Sequence, residues 1–296
     1  AGLRGAVEIL DLASHGTVVR REEVAPWLWD VGWSSDGRRL AVSGKHGFAA
    51  ILDARDLSVT HRLVGHGAGE SVNRISYRPD GGAVITASGD GTARLWDAHT
   101  GAPLGVLRAG GPVMSATWSP DQMRIATARW DHRIQIWDAH TLALVAELEA
   151  APLRFLDVTF SPDARRIVAS THAGVVTVFD IATRERVMTY IGHSGPVTAA
   201  VFSPDGALLA TSSSDSTVRV WDVATGRQLA TRPHGGEALQ VTWNKAGTEL
   251  VVATPVPGLR IWDVAPDRRS LAELEAFART RVPWRLVDGR LAQTRL

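Results

Sequence analysis

Residues 196–232 read PVTAAVFSPDGALLATSSSDSTVRVWDVATGRQLATR. PVTAAVF alternates, SPDG turns, ALLATSS follows, SDS turns, TVRVWD alternates again, ATG turns and RQLATR closes. Period-two patterning with β-branched and aromatic residues argues strand over helix. Proline presets φ in a turn, and glycine supplies positive φ after it. The stretch is therefore four short strands joined by tight turns.

The same unit recurs along the chain. Asp11, Asp53, Asp97, Asp138, Asp180, Asp222 and Asp263 each end a short alternating run, at intervals of 41 to 44 residues. The runs are GAVEILD, GFAAILD, TARLWD, RIQIWD, VVTVFD, TVRVWD and LRIWD. A second marker sits in the turns SSDG, RPDG, SPDQ, SPDA, SPDG and NKAG, at Asp36, Asp80, Asp121, Asp163, Asp205 and Ala246, each 17 residues before the next strand-end Asp. Asp288, in LVDG, is a further turn marker with no strand-end partner, and Asp11 is a strand end with no turn marker. Four antiparallel strands per repeat of this length is the signature of a propeller blade.

The chain resembles the WD40 repeat family, in its bacterial form. The dipeptide Trp-Asp stands at Trp96-Asp97, Trp137-Asp138, Trp221-Asp222 and Trp262-Asp263, with Phe179-Asp180 close to it. Gly-His opens repeats at Gly65-His66 and Gly192-His193. The resemblance implies an all-β, seven-bladed β-propeller as a single domain. Six continuous blades are expected at about 27–64, 71–108, 112–149, 154–190, 196–232 and 237–265. The two unmatched markers then predict a closing blade shared between the termini, residues 5–21 with 282–294, two strands from each. Residues 266–280, PDRRSLAELEAFART, read as a helix, because Pro266 suits a first turn and Leu271, Leu274 and Ala278 share a face. An outer strand is the alternative for this segment.

Composition narrows the function. Lys and Arg number 32 against 31 Asp and Glu, a net charge of +1, which supplies no bulk attraction to nucleic acid or an anionic membrane. There is no cysteine, so disulfides and thiolate metal sites are excluded. No apolar stretch reaches the ~20 residues a membrane helix needs. AGLRGAVEILD is not a secretory leader, and a cytoplasmic location is expected. Only Lys45 and Lys245 are lysines, a bias towards arginine that suggests a GC-rich bacterial genome. The absent initiator Met and the start inside a blade suggest a domain of a larger protein.

Two sets of residues imitate chemistry. His66, Ser88 and Asp90 form one His, Ser, Asp set, and His193, Ser213 and Asp215 form another. The resemblance implies a structural tetrad instead, with members His66, Asp90 and Trp96 in one blade and His193, Asp215 and Trp221 in the other. No catalytic residue, cofactor or metal is expected, since no His and carboxylate set has ligand spacing and the glycines fall at turns rather than before a helix.

Docking is expected where the family docks partners, on the face formed by the loops between second and third strands and between blades. Trp130, in the turn Arg129-Trp130-Asp131-His132, stands where other blades carry Gly89 or Ser214, and Trp and Arg are favoured at interface hot spots. Trp27 and Trp29 enter a blade at the same face. Trp27, Trp29, Arg129, Trp130 and His132 are the candidate docking residues. Packing is the alternative for Trp130, and cover of the channel or neighbouring blade for Trp27 and Trp29. The expectation is a non-catalytic scaffold binding protein partners, other domains of its own polypeptide among them. It would serve as the C-terminal sensor or docking domain of a bacterial kinase or signalling NTPase. A subunit for assembly, or an enzyme at the channel mouth, are the alternatives.

Overall fold

A computed structural model describes residues 5–11, 16–149, 152–233, 236, 240–253, 259–264, 284–287 and 290–293. A hairpin of β1 (Val7–Asp11) and β2 (Gly16–Arg21) comes first. The first blade is β3 (Leu28–Trp33), β4 (Arg39–Gly44), β5 (Ala49–Asp53) and β6 (Val59–Arg62). The second is β7 (Val72–Tyr77), β8 (Ala83–Ser88), β9 (Thr92–Asp97) and β10 (Pro103–Arg108). The third is β11 (Val113–Trp118), β12 (Arg124–Arg129), β13 (Arg133–Asp138) and β14 (Leu144–Glu149). The fourth is β15 (Phe155–Phe160), β16 (Arg166–Thr171), β17 (Val175–Asp180) and β18 (Arg186–Ile191). The fifth is β19 (Val197–Phe202), β20 (Leu208–Ser213), β21 (Thr217–Asp222) and β22 (Gln228–Pro233). The sixth shows β23 (Gln240–Trp243), β24 (Glu249–Ala253) and β25 (Leu259–Asp263), and a hairpin of β26 (Trp284–Val287) and β27 (Arg290–Gln293) follows.

The architecture is an all-β six-bladed propeller, each blade an antiparallel meander, and this corrects the seven-bladed expectation. The terminal hairpins β1–β2 and β26–β27 are separate two-stranded sheets, each paired only within itself. Among the described residues no ladder joins 5–21 to 282–294 as a shared blade. The marker spacing locates strand ends and turns, but it says nothing about which sheet edge each hairpin joins. The β1–β2 hairpin is fastened locally. Val24 N–H donates to the Gly5 carbonyl at 2.9 Å, and Val7 is buried with Val24, Ala25 and Leu28 in the first blade's core. No helix is present among the described residues, and 266–280 lies outside them.

The two sequence markers have physical causes. The strand-end Asp caps the turn that follows: Asp97 Oδ1 accepts from the N–H groups of His99 at 2.9 Å and Thr100 at 2.8 Å. Asp138, Asp180 and Asp222 do the same for Thr141, Thr183 and Thr225. The turn-marker Asp is held by a serine two residues earlier, as in Ser203 Oγ to Asp205 Oδ1 at 2.5 Å, and that Oγ accepts from Leu208 N–H at 2.9 Å. These Asx-type turns fix the register of every hairpin.

A third regularity is not visible as a motif. In each of the first five blades the inner strand slips register against its neighbour after its first residue, at Leu28/Asp30, Val72/Arg74, Val113/Ser115, Phe155/Asp157 and Val197/Ala199. A β-bulge bends its strand and re-aims the side chain beside it.

Candidate functional site

Asp30, Arg74, Ser115, Asp157 and Ala199 each follow a bulge and stand three residues before the inner-strand aromatic, the register Gln240 also holds in β23. The successive inner strands are neighbours, so these positions form a ring about the axis. Arg74 spans it. Its guanidinium lies 3.6 Å from Asp30 Oδ1 and 3.0 Å from Asp157 Oδ2, and it donates to the Thr198 carbonyl at 3.2 Å. The Gln240 side-chain amide sits beside it. Asp157 Oδ1 accepts from Ser115 Oγ at 2.8 Å, and Asp30 Oδ2 accepts from Ile75 N–H at 3.0 Å. One side chain of the second blade therefore touches the first, fourth and fifth.

Burial raises the Asp30 pKa above its ordinary value, against the opposing pull of Arg74 and of the Ile75 and Val31 amides. These acids converge at the centre of the propeller, where a channel enzyme would need them. Both are engaged by Arg74 and by other donors, so neither is a free general base. Sequence reasoning missed this ring. The available signal was a charge in a register where the other blades place Ser115, Ala199 and Gln240.

The His, Thr, Asp and Trp chains lie elsewhere. In the second blade His66 Nδ1 lies 2.8 Å from Asp90 Oδ2, His66 Nε2 lies 2.7 Å from Thr86 Oγ1, and Trp96 Nε1 donates to the same Oγ1 at 2.9 Å. The fifth blade repeats this with His193, Asp215, Thr211 and Trp221 at 2.9, 2.8 and 2.9 Å. The hydroxyl is Thr86 or Thr211, not the serine two residues later. Ser88 donates instead to the Ser71 carbonyl and accepts from Asp90 N–H. The Gly before each His suits a close approach: a Cβ at Gly65 or Gly192 would stand 3.1 Å from the Trp96 or Trp221 ring and nearer still to the Arg94 or Arg219 guanidinium. Thr86 and Thr211 are fully buried, so no substrate reaches a hydroxyl and the hydrolase reading has no cleft.

The hydrogen-bond pattern fits a neutral imidazole that donates from Nδ1 to the carboxylate and accepts at Nε2 from the threonine hydroxyl. Burial lowers the His66 and His193 pKa values, against the stabilising pull of Asp90 and Asp215. Burial opposes ionisation of Asp90 as well, but hydrogen bonds from Thr92, His66 and the Gly67 amide outweigh it and hold that carboxyl at about 2. A folded-state His below its ordinary value of about 6.5 contributes stability that is full above that pH and is lost as pH falls. Urea midpoints should therefore fall between pH 7.5 and 5.5, and again below about pH 4 as Asp90 and Asp215 protonate. A His66→Gln, His193→Gln double variant should be less stable at pH 7.5 and show a flatter profile through the first window. An equally steep profile would refute the assignment.

Trp27, Trp29, Trp130 and His132 lie at the face of the turns between second and third strands, in two groups separated by the second blade. In the first blade, Lys45 N–H donates to the Trp27 carbonyl, and Lys45 Nζ stands 4.6 Å from the Trp27 ring and 5.5 Å from Trp29. These tryptophans are 41% and 43% exposed. In the third blade Trp130 is half-buried. His172 meets its ring at 5.8 Å with planes 76° apart, and the Arg154 guanidinium lies 5.3 Å above it. His132 takes a positive φ of 76° beside it. Arg129 is buried: it donates to the Gly110 carbonyl at 3.3 Å and pairs with Asp131, so its charge is spent inside the turn. Arg154 and His172 were not singled out from sequence, because nothing in their spacing links them to Trp130.

Comparison with known proteins agrees with this architecture. A segment of the chain is 31% identical over 116 residues to SEC12-like protein 1 of Arabidopsis thaliana, covering 36% of this chain and 28% of that protein. The likeness is thus to part of a longer polypeptide. The family model described as the IFT122 first beta-propeller matches residues 27–279. That span takes in all six blades, and the chain accordingly belongs to this beta-propeller family, of WD40 type.

Proposed function

We propose that this propeller is a non-catalytic scaffold that docks protein partners on the face carrying Trp27, Trp29 and Trp130. The observation that carries the reading is the Trp130 turn. A half-exposed tryptophan held by a histidine edge and a guanidinium is ordered before binding, so little side-chain entropy is lost when a partner covers it. Trp27 and Trp29, with Lys45 against both, present a second rigid aromatic group on the same face. The propellers to which the chain is similar support an interaction module. The arginine-for-lysine bias supports a bacterial host, and within it we assign the module to a larger signalling protein whose other domains are candidate partners. The convergent acids at the axis argue against catalysis there, because Arg74 neutralises them.

A photo-crosslinking residue placed at position 130, and in parallel at Trp29, should capture the same partner in the native host. Trp130→Ala, which removes an aromatic anchor, should weaken that partner's binding by about 2 kcal/mol or more in calorimetry. Unchanged affinity in a folded Trp130→Ala variant would place the docking surface elsewhere.

A further inference from the structure

A cavity of about 610 Å³ opens between the third and fourth blades, on the side away from the Trp130 turn, and the repeat explains its presence. Where neighbouring blades fan apart, each outer strand supplies one side chain and the next blade's outer turn supplies another. Between the first and second blades, His61 fills the space over Gly101. Between the second and third, Leu142 fills the space over Gly105. Between the fourth and fifth, Met188 fills the space over Gly226. At these three junctions a large residue meets a glycine. Between the third and fourth blades the two positions are Ala146 and Arg184. Alanine is small, and the arginine is exposed rather than tucked in. Neither fills the wedge, so it stays open.

Its walls are Ile136, Val145, Ala146, Ala164 and Ile181, all aliphatic. Its charges are uneven in availability. Asp121, Asp163 and Asp180 line the rim, each with its Oδ1 engaged by its own turn: Asp121 by Ser119 and Met123 N–H, Asp163 by Ser161 and Arg165 N–H, Asp180 by Ala182 and Thr183 N–H, while Arg124 donates to the Ala164 carbonyl. Arg165 and Arg184 are exposed rim residues in no salt bridge among the described residues. The volume lies in the usual range for a binding cleft. Alongside it runs β14, the last strand of its sheet, whose outer edge is unpaired among the described residues and can accept an extended chain.

We infer that this wedge is a peptide-docking site, distinct from the Trp130 face, for an extended acidic segment of a protein partner. The segment inserts one large apolar side chain over Ala146 and sets flanking carboxylates on Arg165 and Arg184. The periodic exception carries the inference: of the four inter-blade junctions whose two positions are both described, this is the one that lacks the large-over-glycine pairing, and Arg165 and Arg184 at its rim are in no salt bridge among the described residues.

The test uses the full chain and fluorescein-labelled probe peptides with a central phenylalanine flanked by two glutamates on each side, or by two lysines. Two variants close the wedge as its neighbours are closed: Arg184→Leu copies Leu142, and Ala146→Met copies Met188. Leucine is tolerated at the left-handed φ of 63° there, since Leu57 and Leu142 adopt 58° and 59°. Filling a void should leave the melting temperature unchanged or raised, which separates loss of binding from loss of fold. The glutamate peptide should bind the unmodified chain by fluorescence anisotropy, and each variant about tenfold or more weakly. The lysine peptide should not bind. Absence of binding by the glutamate peptide, equal binding of the lysine peptide, or unchanged affinity in both filled variants would each overturn the inference. So would a concentration-dependent dimer in light scattering that Arg184→Leu abolishes, since a second copy would then be the occupant.

Discussion

Arg74→Met should destabilise the propeller by about 3–5 kcal/mol, the loss expected when one partner of a buried ionic network is removed and the others stay charged. Methionine keeps the stem but leaves Asp30 and Asp157 facing each other across the axis without the guanidinium between them. Urea denaturation at pH 7.5 measures the effect. Arg74→Lys should recover only part of it, because one ammonium cannot reach three blades with the fork that guanidinium provides. The triple variant Arg74→Met, Asp30→Asn, Asp157→Asn should be more stable than Arg74→Met alone, since the uncompensated charges go with the arginine. A loss below about 1 kcal/mol for Arg74→Met would mean that water already screens the ring.

This network shows where sequence reading stops. The four-strand unit was legible because its markers do local work: an Asp that caps its own turn must recur at fixed spacing. The axial ring draws on all six blades, and its members share a register but not a residue type: Asp30 and Asp157 are acids, Arg74 is a base, and Ser115, Ala199 and Gln240 are uncharged. Arg74 lies in VNRISY, where simple alternation is broken by a bulge that local sequence does not announce. The expected seventh blade failed for a related reason. Asp11 and Asp288 are in phase, yet pairing between distant hairpins depends on which edges meet, and β1–β2 finds its burial against Leu28 and its neighbours instead.

The docking residues divide in the same way. Trp130 was legible as an aromatic in a turn that other blades fill with glycine or serine. Arg129 was read as a docking residue beside Trp130, and it ends β12 buried, with its side chain turned inward to Gly110 and Asp131. The hydroxyl of the tetrad was not legible, because Thr86 and Ser88 share a face and differ only in depth. Both lie on the same side of β8, and only the reach of the His66 ring selects between them.

That last distinction yields a large predicted effect with an internal control. Thr86→Val keeps the shape of the side chain and removes one hydroxyl on which His66 Nε2 and Trp96 Nε1 both depend. Each buried polar atom left without a partner costs about 1–3 kcal/mol, so the variant should lose about 2–5 kcal/mol. Thr127→Val in the third blade makes the same chemical change. There Thr127 Oγ1 accepts only from Trp137 Nε1, at 3.0 Å, and Asp131 pairs with Arg129 in place of a histidine. Its loss should be about 1–3 kcal/mol. Measured side by side in urea, the two substitutions isolate the share that belongs to the imidazole. The same comparison at pH 5.5 tests whether the hydroxyl serves the neutral imidazole, since burial lowers the His66 pKa. Equal losses at Thr86 and Thr127 at both pH values would show that the histidine adds nothing to its blade and that Trp96 alone needs the hydroxyl.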